Sequence, residues 1–334
     1  EITGTIQWEN DLFQQYTDQH YTNGMRLSLS KAKPWSEFDD GLKRLAVAWI
    51  PGMDEDCAGD DGTSWLHNFS IGQNMFTPEN LRVSSLLNQD RPYAGWTYAS
   101  LGILSDKRSG PGRPCKPSFS KPKLSRYDWD KIDSLELSVG VIGPASFAEE
   151  TQRRFHKVFN GVDPQGWDHQ LKNELALNLF FNRQLRWTGW SDNFDVMPHW
   201  GVALGNVYTY LNGGATVRLG TGGLKSDYGP PRIRPSIPGA DFVKSGSKGS
   251  DIYLFASLEG RLIARNIFLD GNTFVDSHRV DKEPLVGDLQ LGVVFRYGDL
   301  LRLSYINTVR SKEFSGQPER SQFGALALSF LYSF

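Results

Sequence analysis

The sequence predicts an all-β fold, an antiparallel transmembrane β-barrel of about twelve strands with a short helix in an extracellular connection. Three observations predict it. Period-2 alternation recurs along the chain, the last such run ends on a terminal Phe, and the composition is rich in strand and turn formers: Gly 34, Phe 20, Tyr 12 and Trp 10 against Met 4. A mean hydropathy of -0.42 fits such a barrel, because one strand residue in two faces a polar lumen.

The C-terminal run carries the pattern most openly. Gly324, Leu326, Leu328, Phe330, Tyr332 and Phe334 alternate with Ala325, Ala327, Ser329, Leu331 and Ser333. One face is apolar and ends in aromatics, like the closing strand of bacterial outer-membrane barrels. A strand of a soluble β-sandwich is the alternative reading of this run. Similar alternation marks Leu135 to Val141, Leu175 to Phe181 and Leu289 to Tyr297. In order, the runs cover about 2–11, 22–32, 66–77, 92–105, 133–144, 171–187, 194–205, 208–220, 251–269, 286–297, 300–313 and 321–334. This even set is expected to close as one domain over residues 1–334.

The formal charge of -2 excludes a strong general affinity for nucleic acid. Nowhere does the chain hold the roughly 18 to 20 apolar residues of a membrane-spanning helix. It starts at Glu1 directly before a strand-like run, so any export signal is expected to have been removed. With Glu1 on the periplasmic side, the long segments 33–65 and 106–132 fall on that side too, where turns are usually short. They carry Cys57 and Cys115, and acidic Asp54, Glu55, Asp56, Asp60 and Asp61 there face basic Lys107, Arg108, Arg113, Lys116, Lys121 and Lys123. A Cys57–Cys115 bridge is expected, with buried free thiols as the alternative. The run DEDCAGDDG lacks the spacing of an EF-hand and reads as a solvated loop. Residues 222–250, rich in Gly, Pro and Ser, read as a third long connection.

One helix is expected, over 146–160. Ser146 and Glu149 form a capping box, and Gly161 supplies a left-handed stop. Phe147, Thr151, Phe155 and Val158 fall on one side as the docking face, with Glu149, Gln152 and His156 on the other. The ordinary pKa of histidine, about 6.5, lets an imidazole there accept a proton at neutral pH. Gln152, one turn earlier, is placed to hold the ring or a substrate group. At the end of the first strand, WENDLF puts Asn10 and Asp11 on the outer rim, and HYTNG brings His20, Thr22 and Asn23 back to it. Their oxygens suit calcium, although the same residues also mark an ordinary hairpin loop. No GxSxG elbow, HExxH pair, P-loop or Cys/His cluster appears.

The ordered set WENDLF, HYTNG, GQNMFTPE, DRPYAGW, GVIGPAS, the Gln152 and His156 pair, GWDHQLKNE, DVMPHWGVALGN and the closing Phe resembles the outer-membrane lipid A deacylase family, the lipid A 3′-O-deacylases, from about residue 6 to the C-terminus. The resemblance implies a twelve-stranded outer-membrane barrel that acts as a hydrolase on lipid A of lipopolysaccharide, releasing ester-linked 3′ acyl chains with Ca2+. By motif, His156 is then the general base. Asn10, Asp11 and Thr22 surround the metal or carbonyl site, with Asn10 and Asp11 as metal ligands, and Gln152 supports them. The family's active-site lysine follows the strand ending in TP; here that place holds Leu81, Arg82 and Val83, and Arg82 is the nearest cation. Asp163 corresponds to an acidic residue after the histidine. The resemblance thus implies a monomer among outer-membrane lipids with its site facing the extracellular side. Two alternatives stay open. One is an outer-membrane phospholipase A, whose HxSNG pattern His20, Thr22, Asn23 and Gly24 partly imitate, and the other is a non-enzymatic pore or adhesin.

Overall fold

The computed structural model describes residues 2–11, 20–51, 53, 63–107, 129–159, 161–222, 224–236, 249–298 and 300–332. Cys57, Cys115 and the acidic and basic runs beside them, apart from Lys107, lie outside the described residues. Twelve antiparallel strands form a closed barrel: β1 (Ile2–Asn10), β2 (His20–Lys31), β3 (Thr63–Thr77), β4 (Ala94–Lys107), β5 (Trp129–Ile142), β6 (Glu174–Ser191), β7 (Phe194–Gly205), β8 (Tyr208–Gly220), β9 (Ser250–Asn266), β10 (Leu285–Tyr297), β11 (Leu301–Arg310) and β12 (Ser321–Tyr332). Each strand pairs with its chain neighbours. The ring closes where β1 meets β12, Ile2 opposite Tyr332 and Asn10 opposite Gly324. Closure leaves no strand edge unpaired, the condition for crossing a bilayer with strands.

Alternation separates the two faces of the wall. On β1, Thr3, Thr5, Gln7 and Glu9 are buried toward the lumen while Ile6 is exposed; on β2, Arg26, Ser28 and Ser30 are buried while Met25, Leu27 and Leu29 are exposed. Apolar residues therefore face outward and polar ones inward, the reverse of a water-soluble protein.

The segment expected to be a plain connection does something else. Residues 224–236 run inside the lumen: the carbonyl of Pro231 accepts from Gln7, that of Arg232 from Arg26, and that of Arg234 from Asn74. Tyr228 donates to Asp106 at 2.8 Å, and Asp227 sits among Arg218, Arg296 and Arg302 at 3.8, 4.0 and 3.4 Å. A lumen lined with arginines would strand their charge; the inserted segment supplies carbonyls and a carboxylate that satisfy it.

Two helices decorate the outside. α1 (Glu37–Trp49) lies within one of the expected long loops and starts with a complete capping box between Ser36 and Asp39. It docks Leu42 and Ala46 on outward Ile103, Leu135 and Phe181. α2 (Ala148–Phe159) sits at the opposite rim, whereas α3 (Ile267–Asp270), one turn after β9, is buried, its Phe268 stacked on inward Phe76 at 4.0 Å.

Candidate active site on the outer wall

Three expectations about α2 are corrected. Ser146 does not cap it: Pro144–Ser146 form a separate 3-10 turn, and the Ser146 hydroxyl donates back to the Gly143 carbonyl at 2.6 Å. Phe147 then takes a left-handed conformation, φ 57°, which breaks the turn from the helix. The docking face is also shifted from that expected. Ala148, Gln152 and His156, spaced i, i+4 and i+8, are buried and Phe155 is half-buried, while Phe147 and Val158 are exposed.

The wall is shaped to receive that row. Gln73 and Thr97, outward on β3 and β4, both donate to the Ser146 carbonyl, each at 2.7 Å. Gly95 lies directly beneath, where a Cβ would come within 2.2 Å of Ala148 Cβ and Ser146 Oγ. Only glycine permits this approach. Met75, Leu81, Tyr93, Ala148 and Trp167 close into a small apolar cluster behind the helix. Burial pushes the Tyr93 hydroxyl up to about 12, so it is neutral at ordinary pH. On the other flank Trp8 of β1 meets Phe155 edge-to-face at 5.7 Å.

That contact sets α2 beside the outward end of β1. Asn10 lies two residues beyond Trp8 on the same outward face, and His156 follows Phe155. Asn10 is in register with Asn23 across β1 and β2. A bulge in β2 beside Thr22 turns its hydroxyl onto that of Thr77, at 2.6 Å. Asn10, Asp11, Thr22, Asn23, Gln152 and His156 are all buried at this rim. The side chain of His20 is outside the described residues.

The geometry assigns protons. His156 Nδ1 faces the Val162 carbonyl, an acceptor only, so Nδ1 carries the hydrogen and Nε2 the lone pair. Gly161 ends the helix without the left-handed conformation expected of it, its amide donating to the His156 carbonyl at 2.8 Å, and a Cβ there would lie 3.0 Å from the ring. Gln152 Oε1 accepts from Trp167 Nε1 at 2.8 Å, while its Nε2 is buried with no hydrogen-bond acceptor among the described residues. Gln152 thus presents a donor and holds no ring. Arg153 bridges Glu149 and Asp163 at 3.0 and 2.6 Å. Slight burial works against its charge, but the two carboxylates outweigh it and raise its pKa. Arg82 is exposed on the 78–93 connection. Its amide is held by Asn80, and among the described residues no hydrogen bond or ion pair ties its guanidinium to His156.

A hard cation fits the oxygen donors here. Asn23 Oδ1 is buried with no donor among the described residues, opposite Asn10 and beside Thr22. Amide, hydroxyl and carboxylate oxygens suit Ca2+ more than a thiolate-seeking metal. Groups of three His, Cys, Asp or Glu able to hold a metal are absent among the described residues. Trp167, the Val162 carbonyl and Thr77 had no signature in the sequence, because each acts through tertiary placement alone.

A family model described as outer membrane protein LpxR matches residues 1–110 and 119–332. Among solved structures, LpxR from Salmonella typhimurium is 18% identical with a TM-score of 0.69, covering 99% of this chain and 100% of that one. The beta domain of the Bordetella autotransporter BrkA is 8% identical, TM-score 0.47, over 99% of both chains, and the KdgM porin is 6% identical, TM-score 0.38, over 99% of both. No curated protein sequence matches.

Proposed function

The chain belongs to the LpxR family of outer membrane proteins, the lipid A deacylase family that its motifs resemble, and on that premise we propose that it hydrolyses the ester-linked 3′ acyl chain of lipid A with His156 as general base. One observation carries the reading: a buried imidazole, its tautomer fixed by the Val162 carbonyl, is enclosed between a helix and the outward face of a membrane barrel. Such a site opens to lipid and not to the lumen, which 224–236 occupy.

His156 Nε2 takes a proton from a water, whose oxygen adds to the ester carbonyl carbon. The resulting imidazolium returns the proton to the departing sugar oxygen as the carbon–oxygen bond breaks. General-base help of this kind is worth typically about 10²- to 10⁴-fold. Gln152 Nε2 is the donor available to orient the carbonyl or the water. Asn10, Asp11 and Thr22, with Asn23, would hold Ca2+, which supplies Lewis-acid stabilisation of the developing oxyanion when bound. The cation on Arg82 is free to approach a substrate phosphate. Lipid A occupies the outer leaflet, so the rim carrying this site is read as the extracellular one. All of these groups come from one chain, which supports action as a monomer.

The test is the mass of lipid A incubated with purified protein and with His156→Ala, each with and without a calcium chelator. Loss of one 3′ acyl unit is expected from the native protein alone. His156→Ala should keep heat-modifiable migration and lose at least about a hundredfold in rate. Undiminished release by that variant overturns the assignment of the base. Fatty acid from glycerophospholipid, with lipid A untouched, would point instead to a phospholipase.

A further inference from the structure

We propose that α1 is an interfacial anchor immersed in the lipid of the leaflet opposite the site, and that it fixes the depth at which the barrel sits. The inference needs only a barrel in a bilayer and is independent of the deacylase reading.

α1 has more apolar surface than the barrel covers. At 100° per residue, Leu42 and Ala46, which pack on the wall, occupy one half of an apolar arc, and Phe38, Leu45 and Trp49 continue it sideways. Those three are 61%, 59% and 81% exposed. Glu37, Asp40, Lys43 and Arg44 fill the opposite arc. A helix with one apolar and one charged side, lying flat and rich in aromatics at its apolar edge, has the form of a segment at a membrane interface. Lys31 over Trp35 at 3.9 Å and Lys43 over Trp65 at 4.6 Å add the basic and aromatic pairing of that zone.

What lies under α1 supports the placement. His67, Asp133 and Arg183 all point outward on their strands, where charge would face hydrocarbon. α1 and the turn after it roof them: Asp39 meets His67 at 3.0 Å, and Arg183 pairs with Asp133 at 2.7 Å and donates to the Pro51 carbonyl at 2.9 Å. The apolar band of the wall therefore ends at this level. Burial disfavours the Asp39 carboxylate, but hydrogen bonds from the Trp35 and Ser36 amides prevail and hold its pKa below the ordinary value.

The vertical distance also agrees. β3 runs from His67, under α1, to Thr77, at the site, ten residues later. At about 3.3 Å per residue this is roughly 33 Å along the strand, or about 25 Å along the barrel axis at a tilt near 40°. That equals the height of the apolar band of outer-membrane barrels, about 25 Å. The two helices overlap on β3 and β4, one at each edge of the band, with α1 extending toward β6 and α2 toward β1. The occupant of the exposed arc is lipid, because the arc is continuous with exposed Leu29 and Phe69 on the wall.

The experiment compares the full chain and Trp49→Phe, each reconstituted in vesicles whose phospholipids carry bromine near the headgroup end of the acyl chain. The difference spectrum isolates Trp49. A blue-shifted emission that loses most of its intensity on bromolipid supports the anchor. Emission at the wavelength of a water-exposed indole, unaffected by bromolipid, overturns it. So does an indole shielded from aqueous acrylamide yet untouched by bromolipid, which would place a second copy of this chain on the arc.

Discussion

His156 is held at Nδ1 by a backbone carbonyl, so its alignment depends on where the chain after α2 sets Val162. Gln152 differs, since its orientation depends on the indole of Trp167. Trp167→Phe keeps an aromatic ring against Tyr93 and removes the donor alone. The carboxamide then loses the one hydrogen bond it makes among the described residues and is free to rotate. One misaligned hydrogen bond of about 1 to 1.5 kcal/mol should lower kcat about tenfold, with KM and heat-modifiable migration unchanged. Equal losses in kcat and in barrel stability would reduce Trp167 to a packing residue. Asn10, Asp11 and Thr22 are nominated by the sequence because they sit in short polar motifs at strand ends, and His156 because it lies on a helical pattern beside Gln152. Trp167 and the Val162 carbonyl are not, because nothing in GWDHQ says that its indole points at a glutamine one connection earlier.

At the scale of elements, a single glycine decides whether α2 can rest on the wall. Gly95→Ala would set a methyl within 2.2 Å of Ala148 Cβ and Ser146 Oγ, and the helix must rise to admit it. Overpacking of this kind costs typically about 1–3 kcal/mol. A lift near 1 Å should reduce acyl release about a hundredfold, while circular dichroism reports an unchanged barrel. Retained activity would mean that the two hydrogen bonds to the Ser146 carbonyl do not set the height of the helix. The strands themselves were readable, because a lumen and a lipid face impose period 2 wherever the wall crosses the membrane. The helices were harder. α1 buries apolar Leu42 and Ala46 on the wall, but α2 buries the row Ala148, Gln152 and His156, so ranking faces by apolarity misplaces its docking side. α1 was hidden by its setting, since Ser36 and Asp39 spell a capping box that a long periplasmic connection gives no cause to seek.

For the whole molecule, the decisive feature is that the lumen is filled by the chain's own segment. Asp227 is its electrostatic centre, accepting from the Tyr253 hydroxyl at 3.1 Å among three buried arginines. Composition marked residues 222–250 as a loop, and only the closed ring of inward arginines shows why a loop belongs inside. Asp227→Ala would remove the carboxylate 3.4 Å from Arg302, while Arg218 keeps Asp195 and Arg296 keeps Asp251 at 3.0 Å, and removing one member of a buried ion cluster costs about 3–5 kcal/mol. The expected result is a lower temperature for the shift between folded and unfolded migration in gels. In planar bilayers the native chain should show no steady conductance, whereas a chain lacking residues 224–236 should conduct. A native conductance of porin size would mean that the segment leaves the lumen in the membrane. Catalysis on the outer wall has no need of a water-filled interior, and the inserted segment makes the barrel a rigid support for a site that faces lipid.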